Sequence, residues 1–158
     1  MFRPLRRIKQ QLTNEECIQL LKQEVRGVLS VLGDNDYPYG IPIDFYYDEI
    51  SQKIYFHGSR EGHKIDSINK HDKVSFCVYD KGFLEEGKRG LNFKSVIVFG
   101  TINILQDREK TLDICKKLSQ KFNFEQEYIE DEIKKFANFV TVLELTPQHI
   151  CGKKVNES

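Results

Sequence analysis

The sequence predicts a mainly β domain in which about six antiparallel strands form a small closed barrel with peripheral helices. The apolar runs are short and rich in branched and aromatic residues, as strands usually are. Most of them are separated by turns too short for the crossover that parallel strands need. Few helical segments intervene, and closure of the sheet removes exposed edges.

The first predicted element is a helix, followed by a buried strand. Thr13 and Glu16 have the spacing of a capping box, which predicts a helix that starts there and runs to about Glu24. Residues 28–32 are a short run of mostly branched apolar residues, which indicates a buried strand.

Two more strands and a short helix lead to the middle of the chain. Residues 39–47 read as a strand in which Pro42 requires an edge position or a bulge, since proline cannot donate to a ladder. The next predictions are a strand over 53–57, a helix over 62–69 and an alternating strand over 73–79.

The second half of the chain is predicted to be one long strand, two helices and a closing strand. A charged, glycine-containing loop covers 80–92, a strand 93–105, helices 107–121 and 125–137, and a strand 139–145. Pro147 is expected to end the last strand and to start a polar C-terminal tail over 147–158.

Composition limits the classes of function. The 158 residues suggest one domain over 1–158, with a basic N-terminal segment over 1–12. Lysine plus arginine equals aspartate plus glutamate at 24 each, which disfavours bulk nucleic-acid binding. The four cysteines form no CxxC pair, so no metal site is expected. The sequence has no run of the roughly 20 apolar residues that a membrane helix requires, and we expect a cytoplasmic protein.

The segment 57–64 has the components of a phosphate site. Gly58 and Ser59 end a strand and lead into a helix, where free amides and the helix dipole attract anions. Arg60 offers a planar guanidinium, and Lys64 can reach back from the first turns of the helix. The alternative is an ordinary strand-to-helix turn whose charges are solvated.

The chain resembles the FMN-binding split barrels related to pyridoxamine 5′-phosphate oxidase. The sequence FHGSREG, residues 56–62, is similar to their FMN-phosphate motif. Within that superfamily the chain is most similar to the nitroimidazole-resistance branch. The segments that support this are RPLRR at 3–7, GIPIDFYY at 40–47, YFHGSREGHK at 55–64 and ICGK at 150–153.

The resemblance implies phosphate-binding roles for the motif that starts at Phe56, His57 and Gly58. Ser59 and Arg60 match positions that hold the FMN phosphate in the oxidases. The position after Arg60 is usually a lysine in the oxidases and is Glu61 in this chain. Lys64 would therefore supply the second cation for the phosphate.

The resemblance also implies a homodimer with FMN at the subunit interface. The remaining matching positions would surround the flavin: Pro42, Ile43 and Asp44 along its ring, Ser95 and Val96 from the partner subunit, and Lys153 in the C-terminal segment that closes over the cofactor. His57 would contact the flavin or the substrate, and its alternative role is that of a half-buried histidine at the strand end.

The resemblance implies the activity of an FMN-dependent oxidoreductase, specifically a nitroreductase of the nitroimidazole-resistance type. The possible electron donor is NADH or NADPH, and the possible substrate is a nitroaromatic compound. Oxidation of pyridoxamine phosphate is disfavoured, because Gly152-Lys153-Lys154 stands where those oxidases have Arg-x-His. The alternative function is a non-catalytic flavin or haem binder, with His57 or His149 as an iron ligand.

Overall fold

An antiparallel sheet forms the body of the protein in a computed structural model that describes residues 1–156. Eight strands lie within this range: β1 (Arg26–Leu32), β2 (Pro38–Asp44), β3 (Tyr46–Asp48), β4 (Lys53–Gly58), β5 (Lys73–Tyr79), β6 (Phe83–Leu84), β7 (Leu91–Ile104) and β8 (Thr141–Asn156). Their order is β2-β1-β5-β7-β8-β4-β3, and β6 pairs with β7. The sheet curls around one core, as the predicted barrel fold requires.

Four α-helices surround the sheet: α1 (Asn14–Gln23), α2 (His63–Lys70), α3 (Arg108–Gln120) and α4 (Gln126–Phe136). Two short 3-10 helices, Ile8–Gln10 and Asp34–Asp36, accompany them. The Thr13 capping box begins α1 as predicted. Asp107 caps α3, accepting a hydrogen bond from the Lys110 amide. Among these helices none is long and apolar enough to cross a bilayer.

Two apolar clusters fix the sheet and the helices. The main core lies inside the curled sheet, where the ring of Phe76 meets those of Phe45 and Phe56 edge to face. A smaller cluster lies on the other face of β4 and β8, where α3 packs its apolar side on Tyr55 and Val142. Alternation along β4 therefore sends Phe56 inward and leaves His57 on the face below α3.

The expected number of six strands was wrong. The predicted strand over 39–47 is two strands, β2 and β3, because Phe45 breaks the ladder, turns its ring into the core and donates its amide to the Val25 carbonyl. The predicted loop over 80–92 contains β6, which pairs with the start of β7.

Pro147 does not end the last strand, contrary to expectation. Strand β8 continues through it to Asn156 and pairs with β7 along its length. The register shifts between Phe99 and Gly100, where Pro147 lies opposite Gly100. A proline fits at such an irregularity because a ladder hydrogen bond is already missing. The described part of the predicted polar tail is therefore a strand.

Candidate functional site

The turn after β4 places a lysine ammonium against the backbone of a glycine. A Cβ built on Gly58 would lie 3.0 Å from Lys64 Nζ, so the lysine reaches back from α2 over the end of the strand. The Ser59 hydroxyl closes the turn by donating to the Glu61 carbonyl at 2.7 Å. Gly62 precedes α2 with φ of 118°, a conformation that suits glycine. The sequence motif thus folds into a compact turn with a cation above it.

The Lys64 ammonium lacks a counterion within residues 1–156. No carboxylate in that range lies within ion-pair distance of it, and burial lowers the pKa of Lys64. A partly buried cation without a partner is costly unless an anion joins it. The geometry favours an anion at Gly58 and Lys64.

A cavity of about 580 Å³, here called the aromatic cavity, opens beside this turn. The strand ends contribute Asp44, His57 and Gly58 to its wall. The opposite wall comes from α3, α4 and the segments that follow them, and its rings are those of Phe122, Phe124, Tyr128, Phe136 and Phe139. Such a wall suits a flat apolar molecule, with polar groups at one end to orient it.

His57 and Asp44 form the polar end of the aromatic cavity. Partial burial of the His57 ring lowers its pKa, an effect that the Asp44 carboxylate opposes and the Lys64 ammonium increases. Asp44 is itself held by Arg26, whose Nε donates to Oδ1 at 2.7 Å. At neutral pH the imidazole is therefore uncharged, and it can donate one hydrogen bond and accept another.

A second cavity, of about 400 Å³ and here called the basic cavity, adjoins the aromatic cavity at the ends of β4 and β8. Arg60 and Arg108 line it together with Thr111 and Thr141. Val140 lines both cavities. Thr141 pairs directly with Gly58, so its side chain lies on the same face as the Lys64 ammonium, about 5 Å from the glycine.

The predicted flavin-ring strand is accessible on one face. Pro42 is exposed and pairs with Val28 at the sheet edge, and Asp44 follows on the same face of β2. Ile43 points into the core, as does Phe56, which is fully buried. Ile43 and Phe56 can therefore contact a ligand only through their backbone.

The structure brings Ser95, Val96 and Lys153 together, but away from the turn. Ser95 pairs with Lys153 between β7 and β8, and the Val96 side chain is buried in the core. This patch lies on the far half of β8 from Thr141, the residue that pairs with Gly58. Ser95 and Lys153 could contact a ligand bound at His57 only if they came from a second copy of the chain.

Sequence reasoning missed the contribution of the helical region. Arg108 and Thr141 join Arg60 only through the pairing of β4 with β8, which local patterns do not reveal. The aromatic wall could have been predicted from the sequence, which has large aromatic residues in a charged, mostly helical stretch: Phe124, Tyr128, Phe136 and Phe139. In the structure these rings remain exposed. Exposed rings that line one cavity indicate a binding surface.

Comparison with protein families and curated proteins gives one match. A family model described as pyridoxamine 5′-phosphate oxidase matches residues 13–154. No curated protein matches the chain at a significant level.

Solved structures share the fold at low sequence identity. A candidate 5-nitroimidazole antibiotic resistance protein from Bacteroides thetaiotaomicron has a TM-score of 0.77 at 15% identity, covering 92% of this chain and 87% of that one. An FAD and heme binding protein from Mycobacterium smegmatis has 0.72 at 16%, covering 94% and 74%. An FAD-binding protein from Mesorhizobium loti has 0.64 at 20%, covering 92% and 96%.

Proposed function

The chain belongs to the pyridoxamine 5′-phosphate oxidase family, whose model matches residues 13–154, and from this premise we propose that it is a flavin-dependent oxidoreductase. We propose that it holds FMN noncovalently in a homodimer and reduces nitroaromatic compounds with NADH or NADPH as donor. The solved structures of similar fold include flavin-binding proteins and a candidate nitroimidazole-resistance protein, which supports this choice.

One observation supports flavin binding above all: an aromatic cavity adjoins an unpaired cation. The aromatic cavity contains Gly58 in its wall, and the Lys64 ammonium lies over that glycine. FMN has the same two parts, a flat aromatic ring system and a phosphate. The described surface therefore offers each part of FMN a chemically suitable neighbour.

The phosphate would bind at the turn between β4 and α2. Lys64 and Arg60 supply positive charge, and the backbone of Gly58 allows close approach because no side chain intervenes. Ser59 would first have to release its hydrogen bond to the Glu61 carbonyl before its hydroxyl could donate to phosphate. We therefore assign the phosphate mainly to the two cations and the amides of the turn.

The flavin ring would lie along the exposed face of β2, from Pro42 to Asp44, with its edge toward His57. The flavin supplies the hydride or electron transfer, and the protein orients the reactants and excludes water. His57, uncharged at neutral pH, would hydrogen-bond to the flavin or to the acceptor. The ring would enter the aromatic cavity at Asp44 and His57, and the rest of that cavity would receive the flat acceptor.

An uncharged sheet face supports the homodimer. Neighbouring strands align Pro42, Val28, Cys77, Ile97 and Cys151 in one row across the outer face, with Ile97 39% exposed. The adjacent row is equally free of lysine, arginine, aspartate and glutamate and consists of Gly40, Ser30, Ser75, Phe99 and His149.

A half-exposed, uncharged face that spans five strands, with Phe2 of the same chain packed on Phe99 and His149, suits a second copy. Pro42, the start of the proposed ring site, lies at one edge of this face. Ser95 and Lys153 lie on the same side of β7 and β8 as Ile97 and Cys151, two residues away. A dimer through this face would let the partner subunit contribute Ser95, Lys153 and the backbone of Val96 to the flavin.

Comparison of FMN with riboflavin tests the phosphate assignment. FMN should bind the wild type far more tightly than riboflavin. The double variant Arg60→Ala/Lys64→Ala should lose about tenfold or more of the FMN affinity, because charge-assisted hydrogen bonds contribute roughly 1.5–3 kcal/mol each. A charge-matched control is Lys81→Ala/Arg89→Ala, at two exposed positions in the segment between β5 and β7. Equal affinity for FMN and riboflavin, or an unaffected double variant, would overturn the assignment.

A second candidate function is a non-catalytic haem or flavin binder. His57 favours it, because an uncharged, accessible imidazole at the edge of a large apolar cavity can bind haem iron. The structure from Mycobacterium smegmatis belongs to an FAD and heme binding protein. His149 is less suitable, since its ring stacks on Phe2 at 4.7 Å. A haem absorption band on addition of haemin, lost in His57→Ala, would favour this function.

A further inference from the structure

The basic cavity contains an arginine, Arg108, beyond the two cations assigned to the flavin phosphate. Arg60 comes from the turn after β4, and Arg108 is the first residue of α3, so two separate elements direct guanidinium groups to one cavity. Neither forms an ion pair with a carboxylate of residues 1–156. Together with Lys64, which lies on the same face as Thr141, they give three cations without an ion-pair partner around the end of β4.

Arg108 is oriented toward the basic cavity by a fixed contact. Its Nη1 donates to the Val140 carbonyl at 3.0 Å, and Val140 itself lines the cavity. Asp107, the neighbouring carboxylate, accepts a hydrogen bond from the Lys110 amide as the cap of α3. The remaining donors of the Arg108 guanidinium are therefore free to bind an anion.

The Thr141 side chain lies in the same wall. Thr141 is 7% exposed, and among residues 1–156 its hydroxyl makes no hydrogen bond. By contrast Thr111 donates its hydroxyl to the Asp107 carbonyl at 2.8 Å. The Thr141 hydroxyl is therefore available to a ligand in the cavity that accepts a hydrogen bond from it.

The volume indicates that the ligand is larger than a phosphate ion. The cavity measures about 400 Å³, within the roughly 300–1,000 Å³ of pockets that take whole small molecules. Ile104, Leu105 and Val140 add apolar side chains to its wall. Phosphate attached to an apolar or aromatic group, as in a nucleotide, has the matching chemistry.

We propose that the basic cavity is a second phosphate subsite, which binds a nucleotide-type phosphate ester through Arg60, Arg108 and Thr141 beside the flavin phosphate. The identity of that neighbouring phosphate rests on the proposed function, whereas the subsite itself rests on the cavity. The phosphate ester has two possible sources. It is either the adenylate half of a flavin dinucleotide, continuous with the flavin, or a separate nucleotide such as that of a nicotinamide donor.

Binding of FMN, FAD and ADP to the full chain distinguishes the sources. Each is titrated against the wild type, Arg108→Gln and Thr141→Val, with Arg89→Gln as the control at an exposed arginine between β6 and β7. Thermal unfolding of each variant verifies folding, and Thr141→Val serves if Arg108→Gln does not fold.

A flavin-dinucleotide source predicts that FAD binds about tenfold or more tightly than FMN, and that Arg108→Gln abolishes this advantage. A separate nucleotide predicts that FMN-loaded protein binds ADP and that Arg108→Gln weakens ADP about tenfold or more. Either result supports the subsite, provided that Arg89→Gln behaves as the wild type.

Two results separate this inference from the proposed function. If FMN binds, FAD has no advantage and ADP does not bind, the subsite is refuted while the flavin function stands. If no flavin binds but ADP binds in a manner that depends on Arg108, the flavin function fails while the subsite stands.

Discussion

Lys64 and Gly58 form the central contact of the candidate site: the lysine Nζ lies 3.0 Å from the point where a Cβ on Gly58 would stand. The contact joins the last residue of β4 to the second residue of α2. It fixes an ammonium over the backbone of a residue that lines the aromatic cavity. The flavin proposal depends on this arrangement more than on any other.

Replacement of Gly58 by alanine tests the contact directly. The new methyl group would displace the Lys64 ammonium by a few tenths of an ångström and occupy the space for phosphate. FMN affinity should fall about three- to tenfold, since phosphate bonds depend on short distances. The chain should still fold, because the atom it meets is the end of a flexible side chain. Fluorescence titration of FMN measures the change. An FMN affinity of Gly58→Ala equal to that of the wild type would argue against phosphate binding at the Gly58–Lys64 contact.

His57 should titrate below the ordinary histidine value of 6.5, because the cavity wall disfavours the charged ring. An NMR titration of the imidazole measures this pKa. If the uncharged ring is the working form, kcat/KM with a nitroaromatic should stay constant above pH 7 and fall as the pH drops through the lowered pKa. His57→Ala should lower turnover while FMN affinity is retained, and His57→Gln should restore part of it. A midpoint above 6.5 would contradict the described environment.

A lysine on the uncharged sheet face should break the dimer. Ile97→Lys places a charge in the centre of the proposed interface, and burial of an unpaired charge is strongly unfavourable. Sedimentation should show twice the chain mass for the wild type and the single-chain mass for the variant, with weaker FMN binding. Ile50→Lys, at an isoleucine 95% exposed between β3 and β4, is the matched control. An intact dimer in Ile97→Lys would place the interface elsewhere.

Glu144 should stabilise the fold at neutral pH. Its carboxylate, 7% exposed, accepts hydrogen bonds from Lys53 at 2.9 Å, Tyr55 at 3.0 Å and Lys110 at 3.2 Å. Burial raises the pKa of Glu144, but these bonds outweigh it and hold the pKa below 4.5. Glu144→Gln should lower the free energy of unfolding at pH 7 by about 1–3 kcal/mol.

The pH dependence of that difference has a definite sign. A carboxyl group with a lowered pKa in the folded state contributes stability above its unfolded pKa, and loses it as the pH falls through the folded pKa. The gap between wild type and Glu144→Gln should therefore be full at pH 7 and shrink below about pH 4.5. Urea unfolding at several pH values measures it, with Glu127→Gln on the exposed face of α4 as control. If the difference in free energy of unfolding persists at pH 3, the stabilisation comes from packing rather than from the charge of Glu144.

The sequence predicted the elements whose signals are local. The Thr13 capping box, the Asp107 cap and the alternation of β5 are each set by neighbours a few residues apart. Phe45 and Pro147 misled the prediction, since each was judged by its own stretch. Phe45 leaves the ladder to fill the core, and Pro147 is tolerated because the register shifts beside it, where Gln148 of β8 has no partner in β7.

The candidate site was predictable only in part, for the same reason. His57, Gly58 and Lys64 lie within one motif, and the structure brings them together. Arg108 and Thr141 join them through strand pairing across the sheet, and the pairing of Ser95 with Lys153 depends on the unexpected continuation of β8. Long-range register is decided by the whole core rather than by any short segment.

The absorption spectrum of the purified protein tests the central claim most directly. It is recorded without oxygen, first for the protein alone, then after FMN is added, and finally after NADH or NADPH is added. Our account predicts flavin bands that sharpen on binding and bleach when the nicotinamide is added. Failure to take up FMN would contradict it, and would mean that the ammonium over Gly58 serves another anion.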